Sequence, residues 1–561
     1  MKATKKRKLI ILLVVLILPA LWGLFLPGYF GVHDDMHPAW IFEMFKAFSV
    51  GQMPPRWASN LSFGFGYPLF HFVYPLPYYL GAFFYWLGMS LTDSVQVLHV
   101  LALVFSGIFM YLFAKEHWGK RAALMAGLLY VYTPYRALDV YVRGALGEAI
   151  AFVFLPLIGW GISKSCKTNR WRYVGVTAIA IACLILSHNL TAMAGLPILA
   201  VYCLLEIWRQ RKKVKVKLSI LRQTSSLLLG LIISAYFWLP AFVEKKLMID
   251  DTLFNFKDHF PFIKQLIFSP WGHGASLWGP GDGMSFQVGI INWLVLISGG
   301  CFILYSLIKK KKVEWVAGYF ALVAVLSLFL MNIRSSFLWD SLPLLAYFQF
   351  PWRLLIVTTF CSSFLAGFVA SKIKKHKWLF IILLVSPIIL TSAYFQPEKI
   401  KYISDEQIFT RFFSVNPTDP KEESKEYLTL GEEYLRLSKK TEERPSSYAW
   451  KKFVLTGSET EMQIKEKSFI DYLVETSGEE NLLVTKIYAL PGWQVEMDGS
   501  LVEIKAGKPY GQIEIEVPEG EHSFRVRYKQ TKFWQIINIV SLIGFLIAIK
   551  LIVSKTKRVK K

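Results

Sequence analysis

The sequence is organised around Tyr29-Phe-Gly-Val-His-Asp-Asp-Met-His-Pro38, which follows directly on its first hydrophobic run. Four ionisable side chains, those of His33, Asp34, Asp35 and His37, fall within five residues at the point where the chain leaves that run. Ionisable groups beside a bilayer are costly unless they have a partner or a task, so this stretch is a candidate functional site. The alternative is a solvated loop whose Asp residues cap the next helix, as acidic residues often do.

The composition of the whole chain indicates a protein that crosses a membrane many times. Of its 561 residues, 54% are hydrophobic and 16% are aromatic, and the mean hydropathy is +0.39. These values exclude an ordinary soluble enzyme. Apolar runs predict about 12 transmembrane helices, near residues 9–26, 95–114, 122–133, 147–163, 173–187, 190–208, 220–241, 288–308, 314–331, 353–371, 378–395 and 533–553.

Lysine and arginine give the chain a formal net charge of +23, which raises the question of nucleic-acid binding. The distribution of the charge argues against it, because the basic residues concentrate in short runs between apolar segments, as is typical of cytoplasmic loops. We therefore expect the lipid bilayer, and no nucleic acid, as a partner. The runs are 2–8, 115–121, 164–172, 209–217, 309–312, 372–377 and 555–561.

The segment 69–89 is apolar enough to cross the membrane, but the basic runs decide against a crossing there. A span at 69–89 would reverse the side of every later loop and would put the basic runs outside. Its prolines and aromatic residues suit a segment that lies at headgroup level on the outer side. We thus predict a multi-pass protein of a bacterial cell membrane, with both termini cytoplasmic and with its polar loops outside.

Residues 396–532 differ in composition and predict a small β-rich domain outside the membrane. The runs 513–517 and 524–528 alternate apolar with charged residues, which predicts a hairpin with one buried face. Asp498-Gly499 is a strong signal for a two-residue turn. A passive module that braces the loops is the alternative role. The predicted domains are 1–395, a transmembrane domain with an outer juxtamembrane segment at 28–94; 396–532, the β-rich domain; and 533–561, a final helix with a basic tail.

Two further clusters pair arginine with the ends of apolar runs. In Tyr135-Arg-Ala-Leu-Asp-Val-Tyr-Val-Arg143, with Glu148 after it, two guanidinium groups suit a diphosphate or phosphodiester, because arginine presents paired donors to phosphate oxygens. The alternative is that both arginines reach to lipid headgroups. Arg353 begins a later span, where an aromatic-belt anchor is the alternative, and a lone His188 between two spans is more often structural.

The acidic loop itself allows two kinds of chemistry. A carboxylate beside a transferred sugar can take the proton of an acceptor hydroxyl. On a helix Asp34 and Asp35 would point about 100° apart, so only one would face a given substrate. Asp34 and His37 are three residues apart and would then share a face. Such a pair can also hold a divalent metal, so metal use stays open.

The order of several short motifs resembles a family of membrane enzymes. The acidic loop is followed by Gly51-Gln-Met-Pro-Pro-Arg-Trp57, by Gly64-Phe-Gly-Tyr-Pro68, by Tyr74-Pro-Leu-Pro-Tyr-Tyr79 and then by many spans. This order is similar to the glycosyltransferase C (GT-C) superfamily, whose members take sugars from polyprenyl-phosphate carriers. Nearly the whole chain takes part in the resemblance.

A narrower resemblance is to the YfhO-like group, which includes membrane proteins labelled as 6-pyruvoyl-tetrahydropterin-synthase-related. The motifs that carry it are Arg143-Gly-Ala-Leu-Gly-Glu148, Ser187-His-Asn189, Phe350-Pro-Trp-Arg353 and, in the C-terminal module, Tyr488-Ala-Leu-Pro-Gly-Trp493 with Asp498-Gly499.

The resemblance implies a polytopic α-helical membrane protein of GT-C-like fold that acts as a glycosyltransferase of hexosyltransferase type. The catalytic acid is expected in the first outer loop, at Asp34 or Asp35. The donor would be a sugar on undecaprenyl phosphate, and the acceptor a cell-envelope glycopolymer, with teichoic acid as the resemblance-led candidate. The candidate substrate-binding residues are His33, His37, Arg56, Arg136, Arg143, Glu148, His188 and Arg353.

Two other functions stay open on the sequence. A flippase or transporter of lipid-linked saccharide would need polar residues at mid-membrane or related halves, and the sequence displays neither feature. The other is a structural envelope protein that displays the β-rich domain, but this function does not explain the acidic and basic clusters.

Overall fold

The computed structural model describes residues 2–245, 255–311, 313–373, 376–413, 451–456, 461–508 and 510–554. Helices form most of this part of the chain up to residue 413, and strands form most of residues 453–528. The helices are α1 (Lys2–Leu21), α2 (His37–Ser49), α3 (Leu69–Phe72), α4 (Leu76–Trp86), α5 (Leu91–Trp118), α6 (Lys120–Val131), α7 (Pro134–Ala137), α8 (Leu146–Thr168), α9 (Arg172–Ser187), α10 (Asn189–Gln210), α11 (Val216–Val243), α12 (Ile263–Ile267), α13 (Ile290–Ile308), α14 (Trp315–Leu330), α15 (Ser336–Ser341), α16 (Pro343–Ala346), α17 (Leu355–Ile373), α18 (Lys377–Thr391), α19 (Asp405–Phe413) and α20 (Lys532–Val553).

The helices confirm a polytopic membrane protein. Among the described residues, nine helices are long and apolar enough to cross a membrane, and a tenth span results if α14 is counted with the bent segment Ile333–Ser341. Each of the 12 predicted apolar runs lies on a helix. Four of these helices, α6, α9, α14 and α18, are 12, 16, 16 and 15 residues long, which is shorter than the roughly 20 residues that a straight span needs.

The apolar segment 69–89 contains only two short helices, α3 of 4 residues and α4 of 11 residues. Pro75 and Pro77 separate them and begin α4, since proline is tolerated in the first turn of a helix. Neither helix is long enough to cross a bilayer. The side of the membrane on which each loop lies, and the limits of the three predicted domains, stay predictions.

The β-rich region, residues 453–528, consists of two antiparallel sheets. Apart from the short pair β1 (Tyr29–Phe30) and β2 (Ile400–Lys401), the strands are β3 (Phe453–Leu455), β4 (Glu461–Ser468), β5 (Asp471–Gly478), β6 (Asn481–Tyr488), β7 (Trp493–Met497), β8 (Ser500–Val502), β9 (Lys505–Ala506), β10 (Gln512–Val517) and β11 (Gly520–Tyr528). The four-stranded sheet has the order β3-β6-β10-β9, and the five-stranded sheet has the order β4-β5-β11-β7-β8.

The predicted hairpin between 513–517 and 524–528 is wrong in its pairing. Both runs are strands and both bury their apolar residues, but β10 pairs with β6 and β9, whereas β11 pairs with β5 and β7. The alternation reports which face is buried, and both sheets bury a face in the same core, so the pattern does not identify the neighbouring strand. The turn at Asp498-Gly499 is confirmed, because both residues have positive φ, +50° and +83°, between β7 and β8.

The β-rich region packs on the juxtamembrane segment. Trp57 lies at 5.4 Å, ring centre to ring centre, from Trp493 and at 5.6 Å from Tyr528. Phe65 packs on Tyr488 at 5.3 Å. Two of the family-like motifs, Gly51–Trp57 and Gly64–Pro68, therefore contact the C-terminal module directly.

Candidate functional site

The acidic loop is anchored on the segment that follows α7. The backbone N–H of His33 donates to the carbonyl of Val142 at 3.1 Å, and that of Asp34 donates to the carbonyl of Arg143 at 2.8 Å. Gly144 makes this approach possible, since its φ is +66° and a Cβ there would lie 2.5 Å from Val32. The two clusters that the sequence singled out are thus brought together by backbone contacts.

Asp34 and Asp35 precede the helix α2, so helical spacing does not relate them to each other or to His37. Asp35 is ion-paired with Arg411 of α19. Burial raises the pKa of Asp35, and the Arg411 guanidinium opposes that rise. The carboxylate of Asp34 is half-buried and takes no hydrogen bond or ion pair from any residue that the structure describes. The two carboxylates are therefore not equivalent.

Arg143 is the centre of a buried ionic network. Its Nη1 donates to Glu148 Oε2 at 2.9 Å, to Asp139 Oδ1 at 3.0 Å and to the Tyr135 hydroxyl at 3.2 Å. The Tyr135 hydroxyl also donates to Glu148 Oε1 at 2.6 Å. No described residue accepts a hydrogen bond from Nη2 of Arg143. The two carboxylates thus fix Nη1 of the guanidinium, and Nη2 can donate to a further acceptor.

Aromatic rings complete the surroundings of Arg143. Its guanidinium lies 5.0 Å from the ring centre of Trp352, the neighbour of Arg353. Arg353 Nη1 donates to Gln349 Oε1 at 2.6 Å. Such cation–π contacts hold a guanidinium plane in place while leaving its N–H groups available. The Pro-Trp-Arg motif therefore supplies a ring for one arginine and a second arginine beside it.

Tyr74 lies among the charged groups of the site. Burial raises the pKa of its hydroxyl, the charge of Asp34 raises that pKa further, and the charge of Arg353 lowers it. Its ring lies edge-on to His188 at 5.4 Å. Gly147 allows this packing, because a Cβ there would lie 2.3 Å from the Tyr74 ring.

The histidines of the site differ in burial and in their hydrogen-bond partners. His37 is buried, its Nε2 accepts the backbone N–H of Leu146 at 3.4 Å, and its Nδ1 therefore donates to the Tyr78 hydroxyl at 3.1 Å. Burial lowers the pKa of His37 and lowers that of His188 to about 4, so both rings are neutral near pH 7. His33 is exposed and its Nε2 donates to the carbonyl of His273 at 3.0 Å.

Of the two remaining candidate arginines, Arg136 adjoins the network of Arg143 through Asp139, and Arg56 has other partners. Arg136 is completely buried; it lies 4.1 Å from the ring centre of Phe152, and its Nη1 is 3.7 Å from Asp139 Oδ2. Arg56 belongs to a separate polar group, in which it contacts His71 Nδ1 at 3.1 Å and Asn538 Oδ1 at 3.2 Å. The other candidates, namely His33, Asp34, Asp35, His37, Arg143, Glu148, His188 and Arg353, lie at or next to the site around Tyr74.

Sequence reasoning missed several members of the site. Tyr74 and Trp352 stand in the motifs that carry the family resemblance, so the motifs could have pointed to them. Tyr135 and Asp139 lie in the same cluster as the arginines. Arg411 is 376 residues from Asp35 along the chain, and no local pattern connects the two.

The described residues contain no group of three or more His, Cys, Asp or Glu side chains that could hold a metal ion. The network around Arg143 brings two carboxylates to a guanidinium rather than to an open site.

Part of the chain matches a known family. Residues 73–238 match the sequence model of the dolichyl-phosphate-mannose-protein mannosyltransferases. The matched segment contains Tyr74, Arg143, Glu148 and His188 but not the acidic loop or Arg353. This segment is therefore similar to a class of membrane glycosyltransferases, which is the coarse class that the motifs predicted, whereas the YfhO-like grouping stays a prediction.

This chain spans only part of the length of each relative that it matches. A protein of Lactococcus lactis subsp. cremoris (strain MG1363), described as uncharacterized, is 27% identical over 227 residues, or 38% of this chain and 36% of that one. Arabinofuranosyltransferase AftD from mycobacteria aligns with a TM-score of 0.44 and 14% identity, over 70% of this chain and 27% of AftD. An oligosaccharyltransferase of Archaeoglobus fulgidus aligns with a TM-score of 0.43 and 13% identity, over 79% of this chain and 60% of that enzyme.

Proposed function

We propose that this protein is a membrane glycosyltransferase that moves a sugar from a polyprenyl-phosphate carrier to a cell-envelope glycopolymer. The observation that carries the proposal is the free carboxylate of Asp34 beside the network of Arg143 and Glu148. One group can take a proton and the other can hold a phosphate, and sugar transfer from a phosphate to a hydroxyl needs both. The family match of residues 73–238 supports a lipid-phosphate donor.

Asp34 acts as the general base in this proposal. Its carboxylate takes the proton of the acceptor hydroxyl while the hydroxyl oxygen forms a bond to the anomeric carbon of the sugar. The bond from that carbon to the carrier phosphate breaks, and its electron pair leaves with the phosphate. The products are the glycosylated acceptor, the free carrier phosphate and a protonated Asp34. Attack from the side opposite the phosphate inverts the anomeric carbon, as the GT-C resemblance implies.

Arg143 and Arg353 hold the carrier phosphate. Nη2 of Arg143 is the donor that no described residue uses, and the carboxylates on Nη1 fix its direction. Positive charge at the leaving phosphate stabilises the negative charge that develops there in the transition state. Arg136 is fully buried behind Asp139, so it acts on the phosphate through charge rather than by contact.

Asp35 has a supporting task. Its ion pair with Arg411 ties the acidic loop to α19, and the strand pair of Tyr29 with Lys401 ties the start of the loop to the same part of the chain. Both contacts restrict the position of Asp34, and a reacting group that is held in place reacts faster.

The finer parts of the proposal rest on the resemblance and on charge. They are an undecaprenyl carrier, a hexose, teichoic acid as acceptor, an active site on the outer face and cytoplasmic termini. The positive-inside distribution of the basic runs supports the orientation.

The surface glycans of a strain that lacks this protein provide the test. We expect the loss of one sugar substituent from an envelope glycopolymer, restored by the wild-type gene and not by Asp34→Asn. A glycan composition equal to that of the parent strain would contradict the proposal. Accumulation of the lipid-linked sugar inside, with normal transfer in broken membranes, would point to a flippase instead.

A further inference from the structure

A cavity of about 530 Å³ lies between three parts of the chain that take no part in the Asp34 site. One wall is the turn that contains Met53, the second is the β-rich region at Tyr528, and the third is the beginning of α20 around Asn538. None of its described lining residues belongs to the network of Arg143, and none is acidic.

The cavity lies at the level where the last span meets the membrane surface. Lys532 begins α20, which is one of the nine candidate spans. On the cavity side of α20, the side chain of Ile539 is 58% exposed, and that of Met53 on the opposite wall is 71% exposed. Large exposed apolar side chains on a spanning helix face lipid. The part of the cavity that Met53 and Ile539 line is thus apolar, and at Ile539 it is open to the bilayer.

Gln530 and Asn538 form a polar part of the lining that hydrogen bonds hold in place. Gln530 Nε2 donates to the carbonyl of Met53 at 2.7 Å, and Asn538 Nδ2 donates to Gln530 Oε1 at 2.5 Å. The buried guanidinium of Arg56 donates to Asn538 Oδ1 at 3.2 Å and so holds the wall from behind. These bonds satisfy the amides and make the wall rigid, which leaves recognition of a ligand to the charged residue at the rim.

That residue is Lys529, whose ammonium group has no partner among the described residues. It is the one charged side chain in the described lining, so the cavity favours an anion. Lys529 lines the same cavity as the apolar side chains of Met53 and Ile539, so a phosphate bound at Lys529 would share the cavity with them. A polar anionic end joined to a hydrocarbon chain fits this arrangement, and a free phosphate would leave the apolar half empty.

We propose that this cavity binds an anionic phospholipid, with its phosphate at Lys529 and an acyl chain along Ile539. The lipid bridges the juxtamembrane turn, the β-rich region and the last span, three elements that meet here. The inference is independent of the transfer reaction, because it uses none of the residues assigned to donor or acceptor.

Photo-crosslinking of the full-length protein in vesicles tests the inference. A photoactivatable phosphatidylglycerol is expected to label residues 50–53 and 529–539. Lys529→Glu is expected to lower that labelling about tenfold or more, since a charge-assisted hydrogen bond is replaced by repulsion. Lys532→Glu is the matched control: the charge change is the same, but Lys532 does not line the cavity, and its labelling is expected to stay at the wild-type level.

A second variant guards against effects on folding. Ile539→Trp narrows the cavity at a lipid-exposed position and is expected to lower the labelling while the protein level is kept. Equal labelling by a phosphatidylcholine probe would reduce the site to ordinary bilayer contact and overturn the inference. Competition by soluble glycerol phosphate as effective as that by phosphatidylglycerol would also overturn it, because the ligand would then be a free phosphate.

Discussion

Replacing Arg143 by lysine separates the charge of this residue from its paired donors. Lysine keeps a cation beside Glu148 and Asp139, whose oxygens lie 2.9 Å and 3.0 Å from Nη1 of the arginine. It does not reproduce a second nitrogen that is fixed in direction toward the phosphate. We therefore expect Arg143→Lys to fold and to transfer sugar slowly. Arg143→Ala is less informative, since two buried carboxylates would lose their cation at about 3–5 kcal/mol of stability.

The expected decrease in the transfer rate follows from the hydrogen bond between Arg143 and the phosphate that is lost. A hydrogen bond to a charged group contributes about 1.5–3 kcal/mol, which corresponds to a decrease in rate of about 10- to 150-fold. Because the phosphate gains charge as it leaves, we expect the decrease mainly in kcat rather than in the KM for the donor. The same reasoning predicts that Glu148→Gln lowers kcat as well, since Arg143 loses the carboxylate that orients it.

The assay is the transfer of labelled sugar from polyprenyl phosphate in membranes, with protein levels compared for each variant. Arg525→Lys is the matched control, because Arg525 makes a two-point ion pair with Asp471, at 3.0 Å and 2.7 Å, in the β-rich region. We expect it to transfer at the wild-type rate. A wild-type rate in Arg143→Lys as well would refute the role of this arginine at the phosphate.

Three further predictions concern the loop and the topology. Arg411→Ala removes the cation that is ion-paired with Asp35, so the acidic loop loses its tie to α19 and the transfer rate is expected to fall at normal protein level; an unchanged rate contradicts the supporting role. Gly144→Ala forces a Cβ into a left-handed backbone at φ +66° and is expected to reduce transfer at normal protein level, whereas full activity would show that the loop does not need this contact. A cysteine at the exposed Asp93 is expected to react with a membrane-impermeant reagent from outside, and protection would mean that 69–89 crosses the membrane.

The sequence predicted the elements of the fold better than their partners. Apolar runs located the spans, because burial in lipid is a local property of about 20 consecutive residues. Alternation located β10 and β11 and their buried faces, but it could not assign them to different sheets. Strand pairing depends on residues that are distant in sequence, which a local pattern does not contain.

The sequence predicted which residues belong to the candidate site better than it predicted what each of them does there. The clusters at Asp34 and at Arg143 are joined by backbone bonds, as their proposed common task requires. Arg136 and Arg143 look alike in the sequence, yet Nη1 of Arg136 lies 3.7 Å from Asp139, whereas Nη1 of Arg143 donates hydrogen bonds to both Asp139 and Glu148.

The central claim is that Asp34 is the base and that Asp35 supports it. The most direct measurement compares the transfer rates of Asp34→Asn and Asp35→Asn with wild type in membranes, at equal protein level. General-base catalysis contributes about 10²–10⁴-fold, so Asp34→Asn is expected to lose at least about a hundredfold, and Asp35→Asn much less. If both variants lose activity equally and added divalent ion restores it after chelation, the pair holds a metal instead. Full activity in the double variant would remove the acidic loop from the mechanism and contradict the account.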